Sequence, residues 1–82
     1  MQQDIGLLKN ALSILDRLPA GLAEQPLMAE IEIASGRPLT TSEARDTLIF
    51  AVDKGWINSR RDDFERTIYW ITDAGRIRLR GF

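Results

Sequence analysis

Apolar residues recur along residues 5–18 at positions 7, 8, 11, 12, 14, 15 and 18, the i, i+3, i+4, i+7 spacing of one helix face. Lys9, Asn10, Ser13, Asp16 and Arg17 fill the other side, and Pro19 closes the segment because the residue before a proline is pushed out of the α region. The apolar stripe is broad for so short a helix. It suits a first helix packed across its own domain, and equally one that lends part of its surface to a second subunit. Residues 20–25 form a connector with a short extended piece around Leu22. Pro26 fits the first turn of a second helix, running to about Ser35 through Leu27, Met28, Ile31 and Ala34 and stopped by Gly36. Arg37-Pro38-Leu39 then turns the chain, with Leu39 pointing inward.

The third helix is the most sharply bounded element, predicted over residues 41–54. Thr40-Thr41-Ser42-Glu43 fits a capping box, with Thr40 at the N-cap and Glu43 three residues on, and Gly55 supplies a left-handed stop. Two runs of strand-forming residues follow, 56–60 and 66–72, separated by the polar Arg61-Asp62-Asp63-Phe64-Glu65. The shared periodicity predicts a core of Leu12, Leu15, Ile31, Leu48, Val52, Ile57, Tyr69 and Ile71. Residues 72–80 are compatible with a short helix or, by their alternation of Arg76, Arg78 and Arg80 with Ile77 and Leu79, with a third strand.

Asp53-Lys54-Gly55-Trp56-Ile57, then a charged loop, then Tyr69-Trp70-Ile71-Thr72-Asp73-Ala74-Gly75-Arg76 resembles the end of bacterial winged helix-turn-helix domains, those of regulators of the multiple-antibiotic-resistance type among them. In those domains a recognition helix ends in a basic residue, Gly and two apolar residues, and the wing returns through Leu or Ile, Thr, two variable residues and Gly. The resemblance covers roughly residues 26–77. It implies an α+β fold, a small winged helix-turn-helix of three helices and a two-stranded hairpin wing, in one domain over residues 1–82. Winged helices serve both DNA binding and protein assembly, so the fold alone does not choose between them.

Composition removes several alternatives. The chain of 82 residues has no Cys and no His, which excludes disulfides, thiol and imidazole chemistry and the usual zinc ligands. Its serines have no base to activate them, and Asp62, Asp63 and Glu65 sit among arginines in a loop rather than in a pocket that would tune them. Gly75 reads as a turn into the terminal segment and not as a phosphate loop. No enzyme, metal or cofactor is expected. No apolar run approaches a membrane span and residues 1–4 carry no basic leader, so a cytoplasmic setting is expected. The net charge of −1 is unevenly spread: residues 1–35 hold two basic and five acidic side chains, residues 36–82 nine and seven. The small basic excess lies in the half that carries the third helix and hairpin.

A DNA reading uses that half. Placing Leu48 in the core puts Ala44, Ala51 and Val52 on its face and turns Ser42, Arg45 and Asp46 outward. Arg45 then suits guanine recognition. Thr40, Thr41, Ser42 and Arg37 suit phosphate contacts, as do Arg60, Arg61 and Arg66 on the hairpin. The competing reading leaves these arginines solvated, with Arg61 and Arg66 paired to Asp62, Asp63 and Glu65. A second feature points to association. Leu48-Ile49-Phe50-Ala51-Val52 is apolar all round the helix, and Ile68 and Trp70 alternate away from Tyr69 and Ile71. With Leu7 and Leu8 of the first helix, Ile49, Phe50, Ile68 and Trp70 are the expected contacts of a homodimer or protein partner. Two functions follow: a DNA-binding winged helix, a small transcriptional regulator or mobile-element factor acting on double-stranded DNA; or a winged-helix interaction module that binds protein only.

Overall fold

The computed structural model describes residues 5–82; residues 1–4, expected to carry no leader, lie outside the described residues. Helix α1, Ile5–Asp16, turns Leu7, Leu8, Ala11, Leu12, Ile14 and Leu15 inward. It packs against α2 (Glu24–Ser35), α3 (Thr41–Asp53), α4 (Asp73–Arg80) and the central strand of the sheet. This central position explains the width of its stripe. Leu7 and Leu8, expected at a partner interface, are 4% and 2% exposed because α1 is covered on several sides by its own chain. They have no surface to offer a partner. Leu18, the last residue of the stripe, lies beyond the helix end and is partly exposed.

Helix α2 begins two residues before Pro26, which still falls in the first turn, where a missing N–H costs nothing. Gly36 ends it at φ +69°, donating its N–H to the Glu32 and Ile33 carbonyls. Thr40 caps α3 as expected, its hydroxyl accepting the Glu43 N–H at 3.0 Å. The Glu43 carboxylate pairs with Arg37 at 3.3 Å. Lys54 and then Gly55, at φ +78°, close the helix.

The hairpin is β2 (Ile57–Arg61) and β3 (Thr67–Ile71), paired antiparallel with Ile57 opposite Ile71 and Arg61 opposite Thr67. A third strand does join the sheet, but it is β1, Leu22–Ala23 from the connector, which pairs with Tyr69 and Ile68 and makes the order β1-β3-β2. The terminal segment is the helix α4. Thr72 caps it by accepting the Gly75 N–H, and Arg76 ties it to α1 through Asp16 at 3.3 Å. Gly75 is therefore no turn. It is buried inside α4, where the helix meets the Trp56 carbonyl.

One core holds these layers. Leu12, Leu15, Leu27, Ile31, Leu48 and Ile57 are its large, fully buried side chains, each contributing about 1.5–3 kcal/mol of apolar burial. Tyr69 and Ile71 join them, while Val52, expected at the centre, is half-buried at the margin. Thr47 takes the place on the inner face of α3, its hydroxyl donating to the Glu43 carbonyl at 3.0 Å so that this buried oxygen is not left unpaired.

Candidate nucleic-acid interface

The phase of α3 sets which side chains reach solvent. Ala44, Thr47, Leu48 and Ala51 face the core, and Thr41, Ser42, Arg45, Asp46 and Ile49 consequently face out. The first turn of α3 thus presents two hydroxyls and the second turn a guanidinium. Arg37 stands at the start of this surface, held to Glu43 and to the Pro38 carbonyl. Arg45 lies one turn on, its Nε donating to Glu24 Oε1 at 3.4 Å. Glu24 opens α2 and also accepts from the Tyr69 hydroxyl at 3.2 Å. Burial, and then the Glu24 charge and hydrogen bond, push the Tyr69 phenol above its ordinary value.

On the hairpin, cross-strand partners share a face. Ile57, Ser59 and Arg61 lie with Ile71, Tyr69 and Thr67; Asn58 and Arg60 lie with Trp70 and Ile68 on the other side. Adjacent residues in a strand point oppositely, so Arg60 and Arg61, grouped together in the sequence, serve different faces. The loop between the strands is tightly built. Asp62 accepts the Phe64 and Arg66 amides at 2.9 and 2.8 Å and the Arg66 Nε at 2.8 Å, and Glu65 adopts φ +61°. The Arg66 amide, more than its guanidinium or the Phe64 amide, holds the Asp62 carboxyl below the usual carboxylate range against a smaller effect of burial. Phe64 is left 79% exposed at the tip, with the Arg66 guanidinium over its ring.

The eight candidate residues for DNA contact therefore divide. Arg37, Arg45 and Arg66 each carry an acidic partner, whereas Arg60 and Arg61 are exposed and in no ion pair among the described residues. Thr40 and Thr41 line a shallow groove of about 220 Å³ between α2 and α3. Arg61 and Arg66 line another, of about 370 Å³, between the hairpin and the start of α2, and Glu24 forms part of its wall. Glu24 thus stands between Arg45 and the hairpin arginines. Sequence reasoning singled out neither Glu24 nor the Tyr69 hydroxyl, and no local signal links Glu24 to Arg45, 21 positions away, or Tyr69 to Glu24, 45 positions away.

The residues expected at an association surface are largely absorbed by the chain. Phe50 is half-buried, edge-on to Trp56 at 5.9 Å between ring centroids, with the Lys54 ammonium over its ring. Ile68 and Trp70 are half-buried on the outer face of the sheet, Ile68 lying beside the Gly21 segment. Ile49 alone of the six stays largely exposed, at 54%. Ile33 and Ile77, which the sequence did not single out, are more exposed than Ile49.

Helix, turn, capped helix and hairpin, closed by a short strand and a terminal helix, superpose on known structures. The hsRosR-S1 and hsRosR-S4 complexes match at TM-scores of 0.78 and 0.79, each with 20% identity over 90% of this chain. A transcriptional regulator of the MarR family from Silicibacter pomeroyi matches at 0.75, with 22% identity over 96%. The fold is a winged helix-turn-helix. In the terms of that fold α2 and α3 form the helix-turn-helix, α3 stands in the position called the recognition helix, and β2–β3 is the wing. This winged helix spans 51–64% of the length of those three chains. No family model and no curated protein sequence matches it. Among the described residues no helix is long and apolar enough to cross a membrane, and no cluster of His, Cys, Asp or Glu is arranged for a metal.

Proposed function

We propose that the protein is a DNA-binding winged helix of the transcriptional-regulator type, a binding domain and not an enzyme. The observation that carries the reading is the outward face of the recognition helix. Thr41, Ser42 and Arg45 project from its first two turns, while Arg60 and Arg61 extend from the wing beside it. The fold shared with a MarR-family transcriptional regulator supports it. The acidic partners of Arg37, Arg45 and Arg66 do not oppose it strongly. The exposed Arg37–Glu43 pair contributes about 0–1 kcal/mol, and a phosphate can replace the carboxylate there, while Arg45 and Arg66 engage their partners through Nε and keep their Nη groups toward solvent. A cytoplasmic, bacterial setting goes with this reading.

An electrophoretic binding assay across a salt series tests the proposal. Affinity for mixed genomic duplex should fall steeply with salt, because each phosphate contact releases counterions. Arg61→Ala should weaken all sequences alike and reduce the salt slope by about one, while Arg45→Ala should cost about 1–3 kcal/mol and blur sequence preference. Absence of binding at ~50 mM salt, where attraction to phosphate is strong, would sink the reading.

A second reading, protein binding without DNA, is favoured by the interrupted charge and by Ile49 exposed on the recognition helix. Homodimerisation is compatible with both, since exposed Ile33, Ile49 and Ile77 are available to a second copy and a dimer would set two recognition helices at a fixed spacing. Sedimentation equilibrium decides it: a species of 9.3 kDa at high micromolar concentration removes the dimer.

A further inference from the structure

Three side chains distant in sequence meet at one oxygen atom. Glu24 Oε1, at the first residue of α2, accepts the Tyr69 hydroxyl from β3 at 3.2 Å and the Arg45 Nε from α3 at 3.4 Å. Tyr69 is 7% exposed, so its ring is fixed by the core and its hydroxyl is a stationary anchor. The Glu24 side chain is 22% exposed and that of Arg45 50%. The contacts therefore run from the rigid interior to the surface of the recognition helix. They engage Arg45 through Nε alone; Nη1 and Nη2 make no hydrogen bond among the described residues.

A guanidinium recognises guanine through two parallel N–H groups in its own plane, accepted by O6 and N7. Holding Nε restricts the orientations of that plane and leaves the Nη hydrogens for the base. It also removes part of the rotamer freedom that a long side chain would otherwise lose on binding. The same carboxylate repels phosphate, so Glu24 lowers affinity for every sequence while sharpening the choice among them.

We infer that Glu24, anchored by the Tyr69 hydroxyl, is a positioning residue that sets the sequence preference of Arg45. The inference rests on the DNA-binding reading above and names the part of the surface that discriminates between sites.

The test begins with selection of a preferred duplex from a randomised pool by the wild-type chain. Affinities for that duplex and for a composition-matched scrambled duplex are then measured at one salt concentration for wild type, Glu24→Gln, Glu24→Ala and Tyr69→Phe, with unfolding midpoints verifying that each is folded. Both Glu24 variants remove the same charge and should bind the scrambled duplex more tightly, to the same extent. Only Glu24→Gln keeps an acceptor oxygen, so it should retain most of the preference for the selected site. Glu24→Ala should lower that preference about tenfold, the scale of one bidentate base contact, and Tyr69→Phe by a smaller factor. In the free protein the Arg45 Nε–H resonance should move in Glu24→Ala and stay near its wild-type position in Glu24→Gln. An unchanged preference in Glu24→Ala, an equal loss in both Glu24 variants, or a pool from which no sequence is enriched overturns the inference and leaves DNA binding standing. A wild-type chain that binds no duplex removes the underlying reading and the inference with it.

Discussion

Gly75 of α4 rests directly on the carbonyl oxygen of Trp56. A Cβ added at Gly75 would overlap that oxygen and press on Ile71 Cγ1. The same Trp56 oxygen accepts the Thr72 N–H at 3.0 Å, so the start of α4 is tied to the exit of the recognition helix. Backbone cannot yield as the end of a flexible side chain would. Gly75→Ala should therefore displace α4 and cost about 1–3 kcal/mol, the range for overpacking a filled site. Urea unfolding should show a lower midpoint with little change in slope; an unchanged midpoint would mean that α4 is free to shift.

Acid should loosen the wing before the core. Asp62 accepts three N–H groups, and its folded carboxyl is held below the ordinary value. A depressed pKa gives stabilisation that is complete above the ordinary Asp value of about 3.9 and is lost as pH falls through the lowered folded value. Amide exchange at Phe64 and Arg66 should accelerate in that window, while the amides of α1 keep their protection. Equal acceleration in wing and core would show that the loop does not titrate separately.

The boundaries of the recognition helix were legible because their causes are local. The Thr40 cap, the phase around Leu48 and the left-handed Gly55 each act within a few residues. The strand formers of the hairpin and the inward Tyr69 and Ile71 were legible for the same reason. The rest depends on contacts across the chain. The extended piece around Leu22 was legible, but its place in the sheet was not, because that comes from pairing with Ile68 and Tyr69, more than 40 residues away. The alternation at Ile77 and Leu79 suits a strand or a helix equally, and the Thr72 cap with the fit of Gly75 decided for helix. Leu7 and Leu8 looked like partner contacts because a one-dimensional stripe does not show how many neighbours surround α1. In the candidate site, helical phase gave the exposure of Ser42 and Arg45. The pairing of Arg45 with Glu24 joins two helices and has no trace in either.

Alkali should be felt at one phenol. Tyr69 is the only tyrosine in the chain, so the phenolate ultraviolet absorbance reports it alone. Burial, followed by the charge and hydrogen bond of Glu24, raises its folded pKa. Its stabilisation is therefore complete below the ordinary phenol value of about 10 and is lost as pH rises through the raised folded value. The titration should lie above that of free tyrosine and move part of the way back in Glu24→Ala. A midpoint at or below the ordinary value would contradict the buried, Glu24-bound hydroxyl.

Thr72 joins the recognition helix, the wing and α4 through one hydroxyl. Its Oγ1 accepts the Gly75 N–H at 3.0 Å, capping α4, and donates to the Gly55 carbonyl at 2.6 Å, where the recognition helix has just ended. Replacing it by alanine removes the cap and leaves the Gly55 carbonyl without that partner, together costing about 1–2 kcal/mol. Thr72→Ser retains both hydrogen bonds and should stay within about 0.5 kcal/mol of wild type, while Thr72→Val keeps the shape, loses the oxygen and should behave like alanine. Urea midpoints of the three variants separate the contribution of the oxygen from that of the side-chain volume. If valine matched serine, packing and not the paired hydrogen bonds would be what Thr72 supplies at this junction.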